Sequence, residues 1–161
     1  MRSKESITLC DLQALGRIAQ SDRDAFFEKY PDRSELYSRR LLCVALCQGA
    51  AKHFVDGLNG VKDFDVWSFF RENRGKPPMP YRRIASRQFE YPKSGTSPEK
   101  RDFIGRKVDL LFRSIPCSTD GCPIVSLQQY LTNSSTETAK CLARKAVVLI
   151  EPFQGTIVWP K

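Results

Sequence analysis

Three aspartates on two short apolar segments have the types and spacing to hold a hard cation. Asp63 and Asp65 lie in Lys62-Asp63-Phe64-Asp65-Val66-Trp67, and Asp109 in Arg106-Lys107-Val108-Asp109-Leu110-Leu111-Phe112. Apolar residues alternating with or flanking acids in this way predict β-strands. A strand puts residues i and i+2 on one face, roughly 6–7 Å apart at Cα. Asp63 and Asp65 then point one way while Phe64 and Val66 point into a core, and Asp109 reaches the same face if the two strands pair. Three carboxylates in one place repel unless a cation compensates them. Mg²⁺ takes oxygen ligands and commonly completes its shell with substrate phosphates. Two such ions, roughly 3.5–4 Å apart, drive in-line phosphoryl displacement. The plainer alternative puts all three acids at strand ends on a solvated face; the apolar neighbours Phe64, Val66, Val108 and Leu110 weigh against it.

Just upstream, Leu41-Leu42-Cys43-Val44-Ala45-Leu46-Cys47 is an apolar run of strand length, followed by Gln48-Gly49-Ala50-Ala51-Lys52-His53-Phe54-Val55. The pattern is strand, tight glycine turn, then helix. Glycine lets backbone approach a ligand, and the first amides of a helix attract phosphate. This order, with Asp-x-Asp on the next strand and one Asp on a later one, resembles the nucleotidyltransferase superfamily related to DNA polymerase β, in a small bacterial-type form. The resemblance covers about residues 41–113. Gly49 matches the first glycine of the family turn, Ala50 departs from its usual Gly or Ser, and Asp63, Asp65 and Asp109 match the three acids.

The resemblance implies an α/β (α+β) fold, a mixed β-sheet with helices packed mainly on one face. It implies metal-dependent transfer of a nucleoside monophosphate from a nucleoside triphosphate to a hydroxyl acceptor on RNA or protein. Mg²⁺ or Mn²⁺ would be held by Asp63, Asp65 and Asp109, with Asp109 also helping to deprotonate the acceptor. Gly49 and Ala50 would contact phosphates through their backbone, and Lys52 is a further phosphate candidate by its charge. Two other readings stay open. One is a catalytically weak nucleotide-binding module of the same fold, partner in a toxin–antitoxin or defence pair, which Ala50 favours because it supplies no hydroxyl. The other is a basic RNA-binding protein without enzymatic activity, which the absence of a recognised RNA-binding motif disfavours.

The chain has 161 residues, 41% of them apolar, and a net charge of +8. That length and content suit a single domain with a real core and exclude general disorder. The expected organisation is one domain over 1–161, with a core at about 41–113, a helical region at 7–40 and a helical and strand region at 124–161. No apolar run approaches the 18 or so residues needed to span a bilayer, and no secretory signal is evident, so a cytoplasmic location without membrane contact is the expectation. Six cysteines then read as free thiols rather than a disulfide framework. Cys117 and Cys122 share a loop, where a local disulfide under oxidation outweighs a zinc half-site lacking further ligands.

The charge is unevenly placed. Residues 71–107 carry eleven basic side chains against four acids, a net of +7. The resemblance sets both ends of that segment beside the acids, where it would draw in a polyanion; a solvated loop is the plainer alternative. Its Pro and Gly clusters predict interrupted structure bordering the cleft and partly mobile.

Elements must position these residues. Leucines at helical spacing predict a helix over 8–20 capped near Thr8, and Ser21-Asp22-Arg23-Asp24 can cap a second one ending at Pro31. A further helix or passage runs from Asp32 to Arg40. The glycine-turn helix spans about Ala50–Val55, the acid-bearing strands about Asp63–Phe70 and Lys107–Phe112. Residues 82–91 fit a short helix or an extra strand. Helices start near Ser126 and Ser135, and 146–150 is a strand or a helix end. His53, the single histidine, reads as structural more readily than as a ligand. Trp67 and Phe69 read as core more readily than as base-stacking rings.

Overall fold

A computed structural model describes residues 5–81, 83–89, 91, 106–117 and 121–161, with side chains omitted at 83 and 85–88. The elements in order are α1 (Leu9–Lys29), α2 (Pro31–Tyr37), β1 (Leu41–Cys47), α3 (Gln48–Asp56), β2 (Phe64–Arg71), β3 (Arg83–Phe89), β4 (Arg106–Ile115), α4 (Pro123–Asn133), α5 (Glu137–Ala143), β5 (Ala146–Glu151) and β6 (Ile157–Trp159). Six strands form one sheet in the order β3-β4-β2-β1-β5-β6. β2 and β4 run parallel, and every other neighbouring pair is antiparallel. The expected mixed sheet is therefore present.

Strand composition explains the order. β1 is apolar at every position and buried from Leu42 to Cys47, which suits a central strand covered on both faces. Its Val44 and Leu46, with Phe64 and Val66 of β2 and Val108 and Leu110 of β4, pack under α1 and α3. Leu42, Cys43, Ala45 and Cys47, with Trp67, Phe69 and Leu111, pack under Leu127 and Tyr130 of α4 and Leu142 of α5. The larger helical layer lies on the first face, and a smaller layer covers part of the second.

α1 is one uninterrupted helix, where the sequence suggested a break at Ser21–Asp24. Thr8 caps it reciprocally with Asp11. The buried stripe Leu12, Leu15, Ala19, Arg23, Phe26 keeps its three- and four-residue spacing straight through the polar stretch. Arg23 sustains it by donating to Ser68 Oγ at 3.0 Å and Glu151 Oε1 at 3.2 Å. Burial pushes the Arg23 guanidinium pKa down, and the Glu151 carboxylate opposes that shift. Pro31 is the first true breaker and serves as the first residue of α2. The two ambiguous segments resolve as strands: 83–89 is an edge strand on β4 and 146–151 pairs with β1. Ile157–Trp159 closes the other edge.

At Gly16 an added Cβ would lie 2.9 Å from Ile150 Cγ2, so α1 approaches β5 too closely for a side chain. Gly16→Ala should lower stability by about 1–2 kcal/mol in chemical denaturation, although the change gains roughly 1 kcal/mol at an unencumbered helix site. Ile150→Leu, which removes that methyl, should recover part of the loss. A stabilised Gly16→Ala protein would refute the close approach.

Candidate functional site

The site begins where β1 ends. Cys47 is extended, Gln48 takes a left-handed φ of 64°, and α3 starts at once. A non-glycine residue there is uncommon and costs about 1–3 kcal/mol, so surrounding structure must impose it. A brace is visible on the far side of α3. Gly57 ends the helix at φ 69°. Asp56 Oδ1 then accepts from the Leu58 and Asn59 amides at 2.8 and 3.2 Å, and the Leu58 bond above all holds its carboxyl below the usual range. Asn59 Nδ2 in turn donates to Gly49 O at 3.2 Å. His53 locks the same loop. Its Nδ1 accepts from the Gly60 amide at 3.3 Å, so Nε2 carries the proton and donates to Glu5 O at 2.7 Å. The single histidine is buried and structural.

The acids arrive on the neighbouring strands. Cys47, Asp65 and Asp109 are register partners across β1, β2 and β4. Partners in register share a face, so Asp65 and Asp109 stand abreast on neighbouring strands whose backbones run about 4.8 Å apart. Asp109 is only 1% exposed, while Asp65 and Asp63 are half-buried. Burial pushes the Cys47 thiol well up, and the Asp65 carboxylate adds to that shift. Lys107, two residues before Asp109 on the same face, sets its Nζ 3.7 Å from Asp109 Oδ1.

A cleft of about 460 Å³ opens at this end of the sheet. Gln48, Gly49 and Ala50 form one wall, and Lys62, Asp63, Asp65 and Trp67 form the floor. Tyr81 stands at one side; Glu137, Thr138, Cys141 and Lys145 line the other. Gln48 Nε2 donates to Cys141 Sγ at 3.2 Å, tying the turn to α5. Lys145 Nζ would lie 4.0 Å from a Cβ added at Gly49, which puts this ammonium at the amino end of α3.

Gly49, Ala50, Asp63 and Asp65 line one cleft, and Asp109 sits beside Asp65 beneath it. Lys52 is exposed on α3 and does not line the cleft. Its neighbour Ala51 is fully buried, so the helical turn carries Lys52 away from the core side. Lys62 and Lys145 supply the cations instead. Tyr81, Glu137, Thr138 and Cys141 were not anticipated; they come from distant segments with no local signature.

The basic segment also divides. Arg71 ends β2 at the end of the sheet away from Asp65, whereas Arg106 and Lys107 enter β4 at the acid end and Arg87 of β3 pairs with Val108 there. Most of the remainder, 92–105, lies outside the described residues, as does its expected mobility.

Among the described residues no three His, Cys, Asp or Glu side chains are grouped closely enough to hold a metal. The paired carboxylates Asp65 and Asp109 still fit Mg²⁺ by donor type, since this ion is commonly bound through one or two carboxylates plus substrate phosphates. No helix among the described residues is long and apolar enough to cross a membrane. Comparison with family models, curated proteins and solved structures finds no match for this chain.

All six cysteines are free thiols. Cys10, Cys122 and Cys141 are exposed, whereas burial raises the Cys43 and Cys47 thiols far above their ordinary range. At pH 8 a thiol reagent should therefore label three cysteines rapidly, Cys117 more slowly, and Cys43 and Cys47 only after denaturation. Rapid labelling of Cys47 in the native protein would contradict the enclosed row beneath the cleft.

Proposed function

We propose that the cleft binds a nucleoside triphosphate with Mg²⁺ or Mn²⁺ and transfers its nucleotidyl group to a hydroxyl acceptor. The observation that carries this reading is the register of Asp65 against Asp109 beside the Gln48–Ala50 turn. A cation held by Asp65 and Asp109 supplies charge stabilisation at the phosphates and lowers the pKa of the attacking hydroxyl.

The chain's own residues do the rest. The acceptor oxygen attacks the α-phosphorus, its bond to the β-phosphate bridging oxygen breaks, and pyrophosphate leaves. The acceptor proton passes to a carboxylate. Asp63 is better placed for this than Asp109, because it is half-buried in the cleft lining whereas Asp109 is shut away from water. Amides at the start of α3 and the ammonium groups of Lys62 and Lys145 neutralise the leaving phosphates. The volume suits a small ligand, and Trp67 with Tyr81 offers apolar surface to a base.

One observation favours binding without turnover: Lys107 already compensates Asp109, in the position where a metal would act. Ala50 agrees with it, having no hydroxyl to offer. The two readings differ in a single assay. With labelled nucleoside triphosphate, Mg²⁺ or Mn²⁺ and an RNA or protein acceptor, the native chain should transfer label. Asp65→Asn and Asp109→Asn should each reduce transfer on the order of 100-fold or more, with the melting temperature little changed for Asp65→Asn. Lys145→Ala should raise KM more than it lowers kcat, and Lys52→Ala should leave both unaltered. Metal-dependent nucleotide binding with no transfer would establish the binding module. Absence of both binding and transfer would sink the proposal.

A further inference from the structure

Beyond the cleft, the same face of the sheet carries positive charge that nearby acids do not neutralise. The β2–β4 register continues without interruption from Asp65/Asp109 through Trp67/Leu111 to Phe69/Arg113 and Arg71/Ile115. Alternation keeps the odd-numbered side chains of both strands on the cleft side. Tyr130 of α4 covers Phe69, the rings 6.4 Å apart, but Arg71 and Arg113 stay half-exposed beyond it. Arg40 joins them, donating from Nε to Arg71 O at 3.4 Å and from Nη2 to Glu72 O at 2.8 Å. Arg71, Arg40 and the Glu72 carboxylate all act on the Cys117 thiol at this end, the two arginines lowering its pKa and Glu72 raising it. The nearby acid, Glu72, pairs with exposed Arg74 at 3.7 Å. Among the described residues, Arg40, Arg71 and Arg113 have no carboxylate partner.

Between this cluster and the acids stands an aromatic ring. Tyr81 is 56% exposed, its centroid 6.0 Å from Trp67 at the side of the cleft. Six residues of strand separate Asp65 from Arg71, about 20 Å. An exposed ring followed by spaced guanidinium groups matches alternating bases and phosphates, because bases stack on aromatic faces while cations follow the backbone.

We propose that Tyr81, Arg113, Arg71 and Arg40 form a track for single-stranded nucleic acid that leads into the cleft. A terminal hydroxyl of that strand is then the acceptor, an assignment that rests on the transfer reading above; the binding track itself does not.

The test is fluorescence anisotropy of the full chain with a labelled single-stranded RNA of about a dozen nucleotides, its DNA counterpart, the duplex and polyglutamate, each over a range of salt. Arg71→Glu/Arg113→Glu should weaken single-strand binding at least ten-fold. It should also flatten the plot of log affinity against log salt by about 1.4, two phosphate contacts at roughly 0.7 each. Arg71→Gln/Arg113→Gln, which removes charge without reversing it, should show the same flattening with a smaller loss, and thermal melting confirms that both variants fold. Tyr81→Ala should weaken single-strand binding with the salt slope unchanged. RNA bound more tightly than DNA would define the acceptor as RNA, and the reverse as DNA. Unchanged affinity in both arginine variants, or equal binding of duplex or polyglutamate, overturns the track. Asp65→Asn separates the two proposals, since it should retain single-strand binding while losing transfer. Transfer that persists undiminished in Arg71→Glu/Arg113→Glu sinks the track and spares the reaction; arginine-dependent binding without transfer does the opposite.

Discussion

Two carboxylates stand abreast in the middle of a sheet, and the architecture of the cleft end follows from keeping them there. Asp65 and Asp109 are register partners on parallel strands, where two like charges repel by on the order of 3–4 kcal/mol at the effective dielectric of a protein surface. Asp109 has no access to water that could screen this. Positive charge must therefore come from nearby. Lys107 is drawn to Asp109, and Lys62 and Lys145 border the same cleft. The amino end of α3 points its amides toward this region as well. An anionic ligand accompanied by a cation would balance both sets of charges at once.

Such a site needs a rigid frame, and the sheet supplies it. Burying β1, β2 and β4 on both faces fixes their register, because a slip of one residue would exchange two packed faces at once. On one side α1 spans the sheet, held by its apolar stripe and by the Arg23 bonds to Ser68 and Glu151. On the other, α4 and α5 pack over β1, β2 and β5. The cleft lies where α5 and the α3 turn meet over the strand ends.

The α3 turn shows how local strain is held. Gln48 adopts a conformation that favours glycine, while Gly49 follows it in the helix. Asn59, Asp56 and His53 brace the loop beyond the helix, and Cys141 accepts the Gln48 side chain from across the cleft. The Asp56 bonds are local, but Asn59 reaches Gly49 10 residues away and Gln48 reaches Cys141 93 residues away. The geometry of the turn is accordingly a property of the assembled domain rather than of the segment.

Alternation in Phe64-Asp65-Val66 and Val108-Asp109-Leu110 is a local pattern enforced by burial, so the two acid-bearing strands and the glycine-turn helix were legible. The mixed sheet was expected only from the family resemblance, and a shared face for Asp65 and Asp109 only on condition that their strands pair, which they do. What the sequence misjudged were matters of direction and continuity. Lys52 looked like a phosphate ligand, but the helical turn points it outward. Ser21–Asp24 looked like a cap, but Arg23 carries the helix through by reaching partners 45 and 128 residues away. Tertiary packing settled that Lys62, Tyr81, Cys141 and Lys145 share a cleft with Asp63 and Asp65, and that Arg71 leaves from the far end of the sheet. Strand pattern follows from side-chain period along the chain, whereas convergence of remote segments depends on helix packing and strand order, which no local periodicity encodes.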